Sequence, residues 1–422
     1  MEGINKRGKT IYLPIIRIMI NSANKSRVVL GIELIFLYFA ITDSLAFLQG
    51  DSTLTFNFLS TPVVALKYLL LLLSFLLMSQ LKERLNFRYL WLPIVIWIVH
   101  FLSSLNGTLY TSPLNLISLC AFLALPNTIK IDIFKKYRLW LIIMAVGGIV
   151  AYFSYVLSLG LPCRICEYYS SKQILAFYAD YYFSIIYQSG LELRLCGLFN
   201  EPGYFGTVLA LTLILDDCNF KKIGNIILIF AGVLTFSMAF YALLGIYIML
   251  RAFKNIVTVL IFICAFCVFL NVIQNTQFED PQIQHLVDRF TFDKSTGEMS
   301  GDNRTDENFE YAYQRMIDNG NLLLGEGMYS KQGNNFTSLS YKTLIYKHGL
   351  IGFIVIVSGM FAVAYPIAKR NRNALIFLLC YFISIYQRPN VYNMTYFCLL
   401  FAGLLYIKEK SLSQNNFENE KR

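Results

Sequence analysis

The residues best placed for chemistry in this chain are three arginines that stand apart from its basic clusters. Arg194 opens the stretch R-L-C-G-L-F-N-E-P-G-Y-F-G (194–206). Pro cannot donate a backbone hydrogen bond and fixes its own φ, so Pro202 suits the first position of a helix, with Asn200 or Glu201 near the cap. A helix start presents unpaired N–H groups and a positive dipole end, which together favour an anion. An arginine beside it adds a planar fork that matches phosphate. Glu201 lies seven residues from Arg194 and reads equally as its structural partner. The plainer reading of Arg194 is an interfacial residue meeting lipid headgroups.

Arg304 heads the second candidate, G-D-N-R-T-D-E-N-F-E-Y-A-Y-Q-R-M-I-D-N-G (301–320). Thr305 suits an N-cap, with Asp306 and Glu307 in the first turn. Phe309, Ala312, Tyr313, Met316 and Ile317 share one helical face, and Gly320 is a natural stop. The spacing predicts an amphipathic helix over a membrane mouth, or equally a loop helix packed on the bundle with a solvated arginine. Arg388 is the third, in the short polar turn Y-Q-R-P-N (386–390), whose tip would reach into the same cavity or simply turn the chain.

The elements that must carry these residues are membrane helices. Of 422 residues, 56% are hydrophobic and only 15% charged, with mean hydropathy +0.53. Soluble domains carry about a quarter charged residues. Apolar segments near 28–48, 62–79, 89–105, 110–126, 139–159, 198–215, 223–238, 239–252, 255–273, 349–368, 373–387 and 391–407 predict an all-α, polytopic fold of about twelve spans. The long stretch 223–252 is read as two helices broken near Thr235–Ser237. That division puts 24 of the 36 Lys and Arg on one side together with both termini, as cytoplasmic retention of positive charge requires. The net charge of +10 is then a topology signal, and no nucleic-acid motif accompanies it.

The expected organisation is a cytoplasmic tail (1–27), five spans (28–159), an extracytoplasmic loop (160–196), four spans (197–273), a large partly helical extracytoplasmic loop (274–348), three spans (349–407) and a cytoplasmic tail (408–422). No cleavable signal peptide is expected, because the first apolar run is a full-length span. Among the few charges in the spans, Glu33 is expected to snorkel near the cytoplasmic end, while Asp43 and Lys67 lie in the first and second helices. Cys163 and Cys166 admit a local bridge in a disulfide-permissive compartment. Cys264 and Cys267 read as packing, and His100 as a buried structural residue. The nine Cys and three His have no metal-ligand spacing, and no phosphate-cradling glycine loop or nucleophile elbow is present.

The segment 194–206 resembles the start of the central span in the O-antigen polymerase (Wzy) and O-antigen ligase superfamily. Also similar are the T-F-S break (235–237), the run L-L-L-G-E-G (322–327), and S-L-S-Y-K-T-L-I-Y-K-H-G-L-I-G (338–352) leading into a helix. The resemblance covers most of the chain through topology and about sixty residues through local motifs. It implies a GT-C-like, metal- and cofactor-independent glycosyltransferase of the bacterial inner membrane that takes a glycan on undecaprenyl pyrophosphate. The acceptor would be a second lipid-linked repeat unit. Membrane lipids and a chain-length regulator are the implied partners, and nucleic acid is not.

Carried onto this sequence, Arg194 and Arg304 would neutralise the pyrophosphate leaving group, with Arg388 as a third cation. Glu201 is the candidate for activating the acceptor hydroxyl, Tyr204 and Tyr341 for lining a sugar cleft, and Asn200 for binding beside them. Ligases of the superfamily carry a His upstream of the Gly-Leu-Ile-Gly turn. The matching place here is Ser338, and His348, directly before Gly349, is not a match. That departure favours polymerase over ligase. A transporter or flippase of similar span number would concentrate polar residues in broken helices at mid-membrane, and a scaffold would tolerate loss of the outer arginines. Here polar residues concentrate outside the spans: 274–337 alone holds 11 acidic and 5 basic residues.

Overall fold

The computed structural model describes residues 27–43, 45, 57–104, 113–169, 175–189, 192–252, 260, 264, 268, 307–327 and 340–419. The expected loop before Glu307, with Arg304 and Thr305 in it, lies outside these residues, as do Ser338 and nearly all of the span expected over 255–273.

The described chain is mostly helical. Five helices come first: α1 (Arg27–Thr42), α2 (Asn57–Ser79), α3 (Trp91–Ser104), α4 (Pro113–Ala124) and α5 (Asn127–Val156). A sheet follows, then α6 (Pro202–Leu215), α7 (Ile223–Leu234) and α8 (Met238–Ala252). The amphipathic α9 (Glu307–Asp318) precedes α10 (Tyr341–Ala368) and α11 (Arg372–Gln387). A short α12 (Met394–Phe397) then runs through a π-helical turn (Cys398–Ala402) into α13 (Gly403–Asn419). Two of these, α5 and α10, are long and apolar enough to cross a membrane, and several more are apolar but shorter. Leu69, Leu72 and Leu76 each expose more than 60% of their surface along α2, so this helix turns an apolar stripe away from the core.

The helix break falls where the charge pattern asks for it. α7 stops at Leu234, α8 starts at Met238, and Phe236 between them has φ +45°. α6 is buried on every side and forms the centre of the bundle. Gly206 is what allows the break to sit against it: a Cβ there would lie 2.6 Å from the Ser237 Cβ and 2.9 Å from Thr235 Oγ1.

The segment 160–196 departs from the all-α expectation. It is an antiparallel meander of β1 (Arg164–Tyr169), β2 (Leu175–Asp180), β3 (Ile185–Ser189) and β4 (Glu192–Gly197), in that spatial order. A register shift falls between Ile185 and Ile186. The signal was a period of two: in E-L-R-L-C-G, Leu193 and Leu195 are buried while Glu192 and Arg194 are half-buried. The sheet is no projecting loop. Its Leu195 side chain and Ser184 hydroxyl meet Gly148 of α5, Phe183 meets Gly147, and the Tyr155 hydroxyl donates to Gln188 Oε1 at 2.5 Å. Gly148 lies eight residues before the end of α5, or about 12 Å along it at 1.5 Å per residue. β4 therefore carries the chain well down the side of α5 before α6 begins. Cys163 is exposed and Cys166 buried under the sheet beside Tyr178, Ile185 and Cys196; both are free thiols, so the bridge considered between them is not formed.

The end of α6 away from Pro202 is a charged lock. Asp216 is fully buried; its carboxylate meets Arg138 of α5 at 3.0 Å, Lys222 at 2.5 Å and Lys410 of α13 at 3.6 Å, and accepts from Asn225 and Tyr406. Asp217 holds Lys410 at 2.5 Å and Asn373 of α11 at 2.8 Å, and its carbonyl accepts from Arg251 of α8. Glu33 does not snorkel: it is buried in α1 and paired with Lys136 at 2.8 Å. Burial alone would raise the Asp216 carboxyl, but Arg138, Lys222 and Lys410 outweigh it and hold it below the usual carboxylate range. A depressed carboxyl stabilises above its unfolded pKa of about 4 and loses that contribution as pH falls through its folded value. Asp216→Ala is expected to cost about 3–5 kcal/mol, because it strands buried cations. Thermal unfolding of detergent-solubilised protein at neutral pH checks this, with the difference from wild type shrinking on strong acidification.

Candidate active site

The start of α6 is built as its sequence requires. Glu201 is the N-cap in extended conformation (φ −145°, ψ 142°), Pro202 takes the first helical position, and the Glu201 carbonyl accepts from Tyr204 and Phe205. The Glu201 side chain does not cap this end; its carboxylate reaches instead to Arg388, with Oε2 2.5 Å from Nη1. Glu201 is thus the partner of Arg388, not of Arg194.

Arg388 caps the C-terminus of α11, its N–H donating to the Ser384 carbonyl at 2.8 Å. Its side chain is only 7% exposed, against 29% for Glu201. Its Nη2 lies over Gly203 in the space a Cβ would occupy, which is the reason a glycine follows Pro202. Among the described residues its Nε has no hydrogen-bond partner. A buried guanidinium thus faces a helix start, held on one side by a half-exposed carboxylate. Both features favour an anion. Gly203→Ala should push the guanidinium off the helix start while leaving the fold intact, since the far end of a flexible side chain gives way first. The expected result is unchanged thermal unfolding with about a tenfold loss of affinity for inorganic pyrophosphate, the size of one displaced charge-assisted hydrogen bond.

The turn that carries Arg388 is tied on two sides. Tyr392 donates to His348 Nε2 at 2.5 Å, and Ser103 Oγ lies 2.7 Å from His348 Nδ1. The Ser103 proton goes to the Val99 carbonyl at 2.7 Å. Nδ1 must then be the donor and Nε2 the acceptor, which assigns a neutral ring with every proton used. His100 lies half-buried against this ring, at 5.4 Å between centroids. On the other side, Asn393 Nδ2 donates to the Asp43 carbonyl and to the Tyr204 hydroxyl, both at 3.4 Å. Asp43 Oδ2 accepts from the Met394 N–H at 2.7 Å, and Oδ1 is paired with Lys67 at 2.6 Å.

Arg194 has a different place from the one expected. Its Nε donates to the Thr235 carbonyl at 2.9 Å and its Nη2 to the Phe236 carbonyl at 3.2 Å, while Nη1 stands 3.7 Å from Glu192. It caps the broken end of α7 rather than the start of α6. Tyr204 is buried, packed edge-on to Phe199 at 5.2 Å and beside Tyr396, so it is part of the core among the described residues. Tyr341 stacks on the exposed Tyr386 at 4.9 Å, one residue from the Gln387–Arg388 turn, and presents a two-ring surface there. Asn200 is half-buried beside Glu201.

Of the residues read from the sequence, Glu201 and Arg388 are thus brought together, while Arg194 and Tyr204 serve the framework. His348, Tyr392, Asn393 and Asp43 were missed as supports of the site. The available signal was polar residues flanking apolar segments: Asp43 with Lys67 are charges of opposite sign in neighbouring helices, and Tyr392–Asn393 directly follow the polar turn. No family model matches this chain, and no curated protein or solved structure matches it either.

Proposed function

We propose that the chain is a polysaccharide repeat-unit polymerase of the inner membrane, with about twelve spans, a GT-C-like arrangement and both termini cytoplasmic. The single observation that carries the reading is the buried Arg388 guanidinium set against the start of α6 and paired, among the described residues, with Glu201. Its placement beside a helix that begins below the end of α5 suits a pyrophosphate whose lipid tail stays in the bilayer. The donor is a glycan on undecaprenyl pyrophosphate and the acceptor a second lipid-linked repeat unit, for O-antigen, capsule or exopolysaccharide.

In the proposed reaction the acceptor hydroxyl attacks the anomeric carbon, the bond from that carbon to the pyrophosphate oxygen breaks, and its electron pair leaves with undecaprenyl pyrophosphate. The hydroxyl proton goes to a carboxylate, for which Glu201 stands nearest the anion. Arg388 and the helix start stabilise the charge that develops on the leaving group. The Tyr341–Tyr386 pair offers a stacking face for sugar rings. Arg304, outside the described residues, is carried as a second cation.

The test is complementation of a polymerase-null host that makes the cognate repeat unit, with surface glycan resolved on a gel. A ladder from wild type and single capped repeats from Arg304→Ala at matched expression is the expected pattern. A wild type that restores no ladder overturns the polymerase, and restored attachment of preformed polymer would identify a ligase instead.

A further inference from the structure

We infer that Glu201 is a substrate-released latch: in the empty site it holds Arg388, and the pyrophosphate of the incoming donor displaces it, freeing the carboxylate in the presence of the hydroxyl it must deprotonate. This rests on the proposed pyrophosphate site and adds to it an order of events.

Three observations carry the inference. The N-cap carboxylate ignores the helix start beside it and spends itself on Arg388, at 2.5 Å. Pro202 has no N–H, and the Tyr204 and Phe205 N–H groups turn back to the Glu201 carbonyl, which leaves the Gly203 N–H, beneath the Arg388 guanidinium, as the donor this helix start adds for an incoming anion. The two partners also differ in exposure. Arg388 is fixed by burial, by Gly203 beneath it and by a turn anchored at His348 and Asp43, whereas Glu201 is 29% exposed and can swing into solvent. Finally, the guanidinium retains an Nε without a partner among the described residues, so an anion with several oxygens satisfies donors that a single carboxylate leaves unmet.

The order has a chemical consequence. While Glu201 is paired with Arg388, its Oε2 is engaged by the guanidinium at 2.5 Å and is not free to meet a hydroxyl. Displacement by pyrophosphate frees that oxygen at the moment the donor is in place. The acceptor hydroxyl's proton passes to Glu201 as its oxygen bonds the anomeric carbon, and the electron pair of the broken bond leaves on the pyrophosphate. Once Glu201 gives its proton to solvent, it competes again for Arg388 and speeds departure of undecaprenyl pyrophosphate.

Binding of inorganic pyrophosphate to the full chain in detergent tests this without any need for turnover. The variants are Glu201→Gln, Glu201→Asp and Arg388→Gln, each with a thermal unfolding curve. A latch closed about nine-tenths of the time reduces apparent affinity about tenfold, so Glu201→Gln should bind about tenfold tighter than wild type. Glu201→Asp, one methylene too short to span the pair, should fall between and serves if the Gln variant does not fold. Arg388→Gln should not bind. Equal or weaker binding by both Glu201 variants overturns the latch while leaving the anion site standing. Unaltered binding by Arg388→Gln, or no binding by wild type and Glu201→Gln alike, removes the anion site itself and the latch with it.

Discussion

Arg388→Gln is expected to abolish chain extension, giving single capped repeats where wild type gives a ladder, with the protein still present at wild-type level in the membrane. The size of the effect follows from the position of the charge. A donor aimed at a developing negative charge in a water-poor site is worth about a hundredfold to a thousandfold in rate when removed singly, and Arg388 supplies a fork and a full charge together. Arg388→Lys should recover little, because a compact ammonium reproduces neither the planar fork nor the flat face that rests on Gly203. Stability should suffer modestly, since Glu201 loses its partner but has solvent within reach.

Arg194→Gln provides the contrast. Its guanidinium holds the Thr235 and Phe236 carbonyls at the end of α7, and bonds from a charged group are each worth about 1.5–3 kcal/mol. The expected outcome is less folded protein and a lower midpoint of thermal unfolding, with extension per folded molecule retained. Quantifying ladder intensity against folded protein separates the two arginines. If Arg194→Gln loses extension at full stability while Arg388→Gln keeps it, their assignments here are reversed.

That exchange of roles shows what the sequence made legible and what it did not. The pattern of Pro202 with a preceding acidic residue marks a helix start from local chemistry alone, and α6 begins there. The halves of 223–252 were separable because charge retention is a global constraint read from composition. The stop at Gly320 is likewise local: it has φ +76°, with Gly320 N–H bonded to Ile317 and Asn321 N–H to Met316, the paired bonds of a Schellman ending. Which arginine faces Glu201 is not local at all. It depends on α11 passing beside α6, across nearly two hundred residues of chain, and proximity in sequence pointed to Arg194.

The sheet was missed for a related reason. Its strands alternate with a period of two, but they are short, rich in Tyr and Cys, and lie between spans of overwhelming hydropathy. Only the packing of Leu195 and Phe183 against adjacent glycines of α5 makes the pattern meaningful. Gly147 and Gly148 in that helix were the visible trace of something approaching closely. The same lesson applies to Gly203 and Gly206, where the motif's glycines make room for Arg388 and for the α7–α8 break.

The second large effect concerns a glycine whose backbone no other residue adopts comfortably. Gly349 has φ +70° and ψ 171°, a region open essentially to glycine alone, and it divides α10 into a short first part and a long apolar one. The long part restarts with N–H groups that have no helical partner, and the turn 322–327 supplies them. Leu350 donates to the Leu322 carbonyl at 2.9 Å and Ile351 to the Leu323 carbonyl at 3.3 Å, while Glu326 donates back to the Tyr346 carbonyl at 2.8 Å. Gly325 permits the approach, since a Cβ there would stand 2.5 Å from the Gly349 nitrogen. The two glycine-rich motifs are therefore the halves of one backbone clamp, with α9 held above it by Phe309 and Met316 against Ile345 and Tyr346.

A Cβ on Gly349 would overlap the Leu323 carbonyl group, so Gly349→Ala must open the clamp. The backbone conformation costs about 1–3 kcal/mol for a non-glycine residue, and each lost clamp bond adds about 1 kcal/mol. A total near 3–5 kcal/mol is expected, seen as a lower unfolding midpoint and as faster proteolysis within 319–327. Gly245→Ala in α8, where an added Cβ meets nothing within 4 Å, should be neutral or slightly stabilising and sets the baseline. A Gly349→Ala protein as stable and as protease-resistant as Gly245→Ala would show that the turn rests on α10 without holding it. Because His348 directly precedes this glycine and anchors Tyr392, opening the clamp should also loosen the turn that presents Arg388. Pyrophosphate binding should then weaken in Gly349→Ala by more than its Gly245→Ala control, linking the clamp to the site through a single residue.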